Sequence, residues 1–204
     1  MIHIAADAGA PNSPNVYYDS AFDLEAAKIL PGEYYVTKRN MVLVTVLGSC
    51  VAACIRDKNN GIGGMNHFML PDRQADSGPA SISARYGAFA MEVMINQLLK
   101  NGAQRQHLEA KLFGGASILR GVTSANVGMR NAEFALQYLQ NERIAIASQD
   151  LLDLYPRKVY FFPASGRVLV KKIRSMHNQT IIEREQGYQS RLSETVIQGG
   201  VELF

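Results

Sequence analysis

Apolar positions along this chain recur with two different periods, and the changes between them mark its elements. Residues 34–37 and 41–46 are rich in β-branched and aromatic side chains, as strands require. Residues 51–56 and 62–70 are two further extended runs around the turn-forming cluster Asp57-Lys58-Asn59-Asn60-Gly61, which predicts a β-hairpin closed off by Pro71. The period then lengthens. Over residues 81–100, Ile82, Tyr86, Phe89, Ala90, Val93, Met94 and Leu98 fall at helical spacing and stop at Asn101-Gly102. A strand over 108–113 runs into Gly114-Gly115, and a second helix is expected over 128–140, with Ala132, Ala135, Leu136 and Leu139 inward and Asn126 as its N-cap. Strands over 144–147, 158–162 and 168–172 follow, the last two joined by a turn at Ser165-Gly166.

The ends lack this regularity. Residues 22–30 suggest a short helix before Pro31-Gly32 in an otherwise loosely attached arm, and beyond Arg174 the chain turns polar. Strands outnumber helices and several are linked as hairpins. The expectation is therefore a mixed α/β (α+β) domain whose sheet is largely antiparallel, with helices on one side.

Composition narrows the function classes. With 204 residues, 47% of them hydrophobic, the chain can bury one sizeable core. Its 21 basic and 18 acidic residues are spread along the chain, with no basic block longer than Lys171-Lys172-Ile173-Arg174, which argues against nucleic acid as a partner. No apolar run has the roughly 20 residues of a membrane helix, and the opening residues carry no cationic or apolar leader, so a cytoplasmic protein without membrane insertion is expected. Cys50 and Cys54 suit neither a disulfide framework nor a zinc set, and Gly114-Gly115-Ala116 lacks the Lys-Ser or Lys-Thr pair of a phosphate loop. Neither metal nor cofactor is expected.

The chemistry concentrates in Thr45-Val-Leu-Gly-Ser-Cys50 and Gly63-Gly-Met-Asn-His67. A cysteine becomes a nucleophile when it ionises, which needs backbone donors or a positive group and partial access to solvent. The Gly48-Ser49 turn leaves N–H groups free to face an incoming carbonyl. If the hairpin closes symmetrically on Lys58 and Asn59, paired residue numbers total 117, which sets Cys50 directly across from His67 with Cβ atoms about 5 Å apart. Other even-length loops shift the register but keep both on one face; an odd loop or a bulge at Gly63-Gly64 separates them. Taken singly, each residue has a plainer explanation. A cysteine in an apolar strand is commonly a small core residue, as expected for Cys54, and a lone histidine is commonly a satisfied core group. His3, His107 and His177 lie in polar surroundings. A redox pair of Cys50 and Cys54 is disfavoured, because four residues of strand separate them by roughly 13 Å.

Four ordered motifs, Leu47-Gly-Ser-Cys-Val51, Gly64-Met-Asn-His-Phe-Met-Leu-Pro71, Ala110-Lys-Leu-Phe-Gly-Gly-Ala116 and Val127-Gly-Met-Arg-Asn131, resemble the chemoreceptor glutamine deamidases, the CheD family. The resemblance covers residues 33–173 as a catalytic domain, between an N-terminal extension, 1–32, and a C-terminal extension, 174–204. It implies a layered sandwich similar to the cysteine hydrolase fold of glutamine-deamidating toxins. It also implies that Cys50 and His67 are catalytic, with Thr45, otherwise an ordinary strand residue, as the third member. The substrates it implies are methyl-accepting chemotaxis receptors, whose glutamines become glutamates, and some members also bind a CheC-type phosphatase. The chain departs from the family's pattern at Asp150-Leu-Leu-Asp153, where many relatives carry a Gly-Gly pair after the aspartate.

Overall fold

The computed structural model describes residues 15–71, 82–117, 125–174 and 179–198. Ten strands form two five-stranded sheets. The first has the order β1 (Asn15–Asp19), β2 (Leu24–Lys28), β4 (Val42–Leu47), β9 (Arg157–Phe162), β10 (Arg167–Lys172). The second has the order β3 (Tyr34–Thr37), β6 (Gly63–Asn66), β5 (Val51–Asp57), β7 (Leu108–Gly114), β8 (Ala145–Leu151). Only β2 with β4 and β7 with β8 run parallel; the other neighbours are antiparallel. Among the described residues three α-helices complete the fold: α1 (Ile82–Lys100), α2 (Ala125–Asn141) and α3 (Gln179–Gln198).

Alternation along the strands builds the layers. Leu43, Leu47, Val159 and Phe161 of the first sheet meet Cys50, Ala52, Cys54, Met65, Met69 and Phe113 of the second in an inter-sheet core. The intervening residues Val51, Ala53, Ile55 and Phe68 face the other way, onto Met91, Met94 and Leu98 of α1 and Ala132, Ala135 and Leu139 of α2. The result is the layered α+β sandwich that the resemblance implies, largely antiparallel with α1 and α2 over one sheet, as the hydrophobic pattern predicts.

Three expectations change. The strands divide between two sheets, and the chain crosses from one to the other at Gly48-Ser49-Cys50, between β4 and β5. Residues 24–28 form no helix: Leu-Glu-Ala-Ala-Lys has helical propensity, but Ala26 and Ala27 are both fully buried where β2 pairs with β1 and β4, so tertiary burial overrides it. The described part of the arm, from Asn15 on, is thereby woven into the first sheet. The hairpin, finally, closes one residue later than expected, since Asp57 N–H donates to Ile62 O at 2.8 Å around a four-residue loop.

Candidate functional site

The crossing at Gly48–Cys50 has all three of its carbonyls tied from one side. Ala116 N–H donates to Gly48 O at 2.7 Å, Gly115 N–H to Cys50 O at 2.8 Å, and the Asn131 side-chain amide of α2 to Ser49 O at 2.9 Å. Close approach of the Gly114-Gly115 backbone makes this possible. Gly114 has φ 115°, and a Cβ there would lie 2.2 Å from Cys50 O, so no larger residue fits. Asn131 also accepts from Leu70 N–H at 2.8 Å, so one fully buried side chain joins the crossing to the segment that follows His67.

With the carbonyls held on one side, the N–H groups converge on the other. Gly48 N–H and Cys50 N–H donate to Oε1 of Glu185 in α3 at 2.9 and 3.2 Å, and Ser49 N–H and Oγ–H donate to Oε2 at 2.9 and 2.7 Å. Three successive N–H groups aimed at one anion form a backbone nest, the arrangement that stabilises a developing oxyanion. Cys50 carries its sulfur at this nest.

His67 reaches the same space. Its N–H donates to Glu33 O at 2.9 Å and its carbonyl accepts from Gly32 N–H at 2.7 Å, which fixes the backbone beside β3. Thr45, on β4 of the opposite sheet, lies 2.8 Å from its Nδ1. The Thr45 hydroxyl donates to Ile29 O at 2.8 Å, and since a carbonyl can only accept, the hydroxyl's lone pair is left to accept from Nδ1–H. That assigns the neutral tautomer with a bare Nε2, which is buried and has no hydrogen-bond partner among the described residues. Burial holds the His67 pKa down at about 4, partly opposed by the Glu185 carboxylate and the Ile29 carbonyl.

The structure thus gathers Gly48, Ser49 and Cys50 around Glu185 and sets Thr45 against His67, whose ring interacts with the same carboxylate, by a different register from the expected one; among the described residues no hydrogen bond joins Nε2 to the Cys50 sulfur. The observed pairs Cys54 with Met65, Ile55 with Gly64 and Val51 with Phe68 total 119, so Cys50 and His67 are not directly opposed. The shift of two preserves their common face. Partial access is not seen: Cys50 is fully buried and His67 only 2% exposed. Nor is the thiol primed, since burial and then the adjacent Glu185 carboxylate push its pKa well up. Cys54 is a buried core residue. His177 lies outside the described residues, among which no cluster of three or more His, Cys, Asp or Glu could hold a metal.

Glu185 and Asn131 escaped the sequence reading as site residues. Asn131 stands in one of the motifs but carries no chemistry of its own. Glu185 lies in a tail whose composition signals only a polar segment, although Glu185, Tyr188 and Leu192 mark one helix face by their spacing.

Fold and site define a class of α+β sandwich proteins with a cysteine at an anion-binding backbone turn and a hydroxyl-oriented histidine beside it. A family model described as CheD chemotactic sensory transduction matches residues 69–172. A probable chemoreceptor glutamine deamidase CheD of Thiobacillus denitrificans is 62% identical over 93% of this chain and 95% of its own. One of the same description from Methylobacillus flagellatus is also 62% identical, over 93% and 95%. Among solved structures, the hypothetical protein YfiH of Bacillus licheniformis is similar over 59% of this chain and 49% of its own, at 14% identity and a TM-score of 0.35. The chain belongs to the CheD family.

Proposed function

We propose that this protein is a cytoplasmic protein-glutamine glutaminase that converts specific glutamines of methyl-accepting chemotaxis receptors to glutamates, with Cys50 as nucleophile and His67 as acid and base. The observation that carries the reading is the Gly48–Cys50 nest, whose N–H groups grip a carboxylate, the group that hydrolysis of a glutamine side chain produces. The names of the relatives supply the substrate.

The chemistry follows from the groups present. With a substrate amide oxygen in the nest, Nε2 of His67 takes the Cys50 proton as sulfur bonds to the amide carbon and the carbonyl electrons move onto oxygen. The C–N bond then breaks, the nitrogen receives the proton from Nε2, and ammonia leaves a thioester. Water attacks that thioester while Nε2 takes its proton; the C–S bond breaks and the proton returns to sulfur. Glutamate and free enzyme result. Thr45 keeps Nδ1–H engaged throughout, so that Nε2 alone exchanges protons.

Mass spectrometry of a receptor cytoplasmic fragment tests this. Wild-type protein should add about one mass unit at particular glutamines, and Cys50→Ala and His67→Ala should slow it by roughly a thousandfold or more. Full conversion by Cys50→Ala would refute the reading.

A further inference from the structure

The group that closes the candidate site belongs to the chain itself. Glu185 is 3% exposed, and its carboxylate takes all three N–H donors of the nest, those of Gly48, Ser49 and Cys50, together with the Ser49 hydroxyl. Around it α3 makes a narrow contact. Among its described side chains only Glu185, Tyr188 and Leu192 are buried, at positions i, i+3 and i+7, a single helical ridge. Tyr188 exchanges a 2.7 Å hydrogen bond with Tyr86 of α1 and lies over Gly32, where an added Cβ would come within 2.8 Å of its hydroxyl. Leu192 enters the inter-sheet core. Apart from these three, the described side chains of α3 are exposed or only partly covered, whereas α1 buries Met91, Met94, Ile95 and Leu98, so α3 is the more easily released of the two.

We propose that α3 occupies the groove a substrate helix takes, as a tethered copy of the product with Glu185 in the place of the new glutamate. Resting on the deamidase reading above, this has two consequences. The chain holds its own site shut, so that α3 must leave before a receptor enters. Substrates are recognised as helices presenting a glutamine where Glu185 lies, with the positions three and seven further on facing Tyr86 and Gly32 and the site of Leu192. Release of α3 also removes the Glu185 charge and hydrogen bond that, after burial, keep the Cys50 thiol protonated.

Two measurements on the full chain test it. In the first, Cys50 alkylation by iodoacetamide is followed by peptide mapping alongside receptor-fragment turnover. Glu185→Ala should raise both the alkylation rate and kcat/KM by roughly tenfold or more, as the closed population falls. Unchanged alkylation, or lower kcat/KM, would overturn the proposal. In the second, Glu185→Gln places the substrate's own amide in the nest. The amide should convert to carboxylate, a gain of about one mass unit, and should survive when Cys50→Ala is added. An amide that persists beside an intact Cys50 in protein that deamidates the receptor fragment overturns the proposal and leaves the deamidase reading standing. A receptor fragment untouched by every variant sinks that reading instead, while alkylation still decides whether α3 shields the thiol.

Discussion

A histidine that serves as a base must keep one nitrogen bare, and at His67 the Thr45 hydroxyl arranges this by spending its only proton on Ile29 O. Thr45→Val removes that arrangement, taking from Nδ1–H its hydroxyl acceptor and from the Ile29 carbonyl its hydroxyl donor. We expect kcat to fall roughly a hundredfold, the range of a misplaced acid–base group, and stability to fall by about 2 kcal/mol. Thr45→Ser should restore most of both, because it keeps the hydroxyl. Steady-state kinetics and urea unfolding of the two variants check the contrast, and equal loss in both would show that only the methyl group matters. Asn131→Ala exposes the same logic on the other side of the crossing: Ser49 O and Leu70 N–H both lose a partner, and unfolding should show about 2 kcal/mol of destabilisation.

At the level of elements, the Gly48–Cys50 crossing and the Gly114-Gly115 turn form one unit. Gly114→Ala puts a Cβ 2.2 Å from Cys50 O at a φ of 115°, so the strand end must move, at a cost of at least about 2 kcal/mol and with loss of the nest's geometry. The opposite sign is expected nearby. Leu152 and Asp153 hold φ values of 65° and 86°, in the segment where the family pattern has glycines. The buried Arg157 keeps that segment in place through Asp150 Oδ1 at 2.9 Å and the carbonyls of Asp150 and Leu152. Leu152, 43% exposed, has little packing to lose, so Leu152→Gly should stabilise the fold by about 1 kcal/mol, read as a rise in Tm of a few degrees.

The same elements explain what could be read in advance. Strand and helix positions in residues 34–172 were legible because their periods of two and 3.6 are set by burial on one face. The common face of Cys50 and His67 was legible for the same reason. The register was not, because it depends on the Asp57 side chain, which accepts from Asn59 N–H and Asn60 N–H at 2.9 and 3.3 Å and so begins the loop at Lys58. Nor was β2 legible, since its alanines become buried strand residues through pairing with both β1 and the more distant β4.

For the molecule as a whole, the buried site sets a pH window. His67 is held at about 4, below its ordinary 6.5, so the unfolded chain binds the extra proton between those values. Stability that this group supplies is therefore complete above about 6.5 and lost as pH falls toward 4, amounting to about 3 kcal/mol at 1.36 kcal/mol per unit. Cys50 and Cys54 act in the other direction: their raised pKa values mean that the unfolded chain ionises first, and stability falls as pH rises past about 9. Denaturation midpoints should thus be highest between about pH 6.5 and 9, and His67→Gln should flatten the acid side of that profile. An unchanged acid limb in that variant would assign the pH dependence to other groups.

The most direct test of a nucleophilic Cys50 is to catch it bonded to substrate. In a single turnover with protein in excess over a receptor fragment, acid quenching and peptide mapping should recover the Cys50 peptide joined to a receptor glutaminyl side chain with loss of ammonia, and never with Cys50→Ala. Receptor glutamate formed at the full rate, while the Cys50 peptide stays unmodified and Cys50→Ala remains active, would contradict the account.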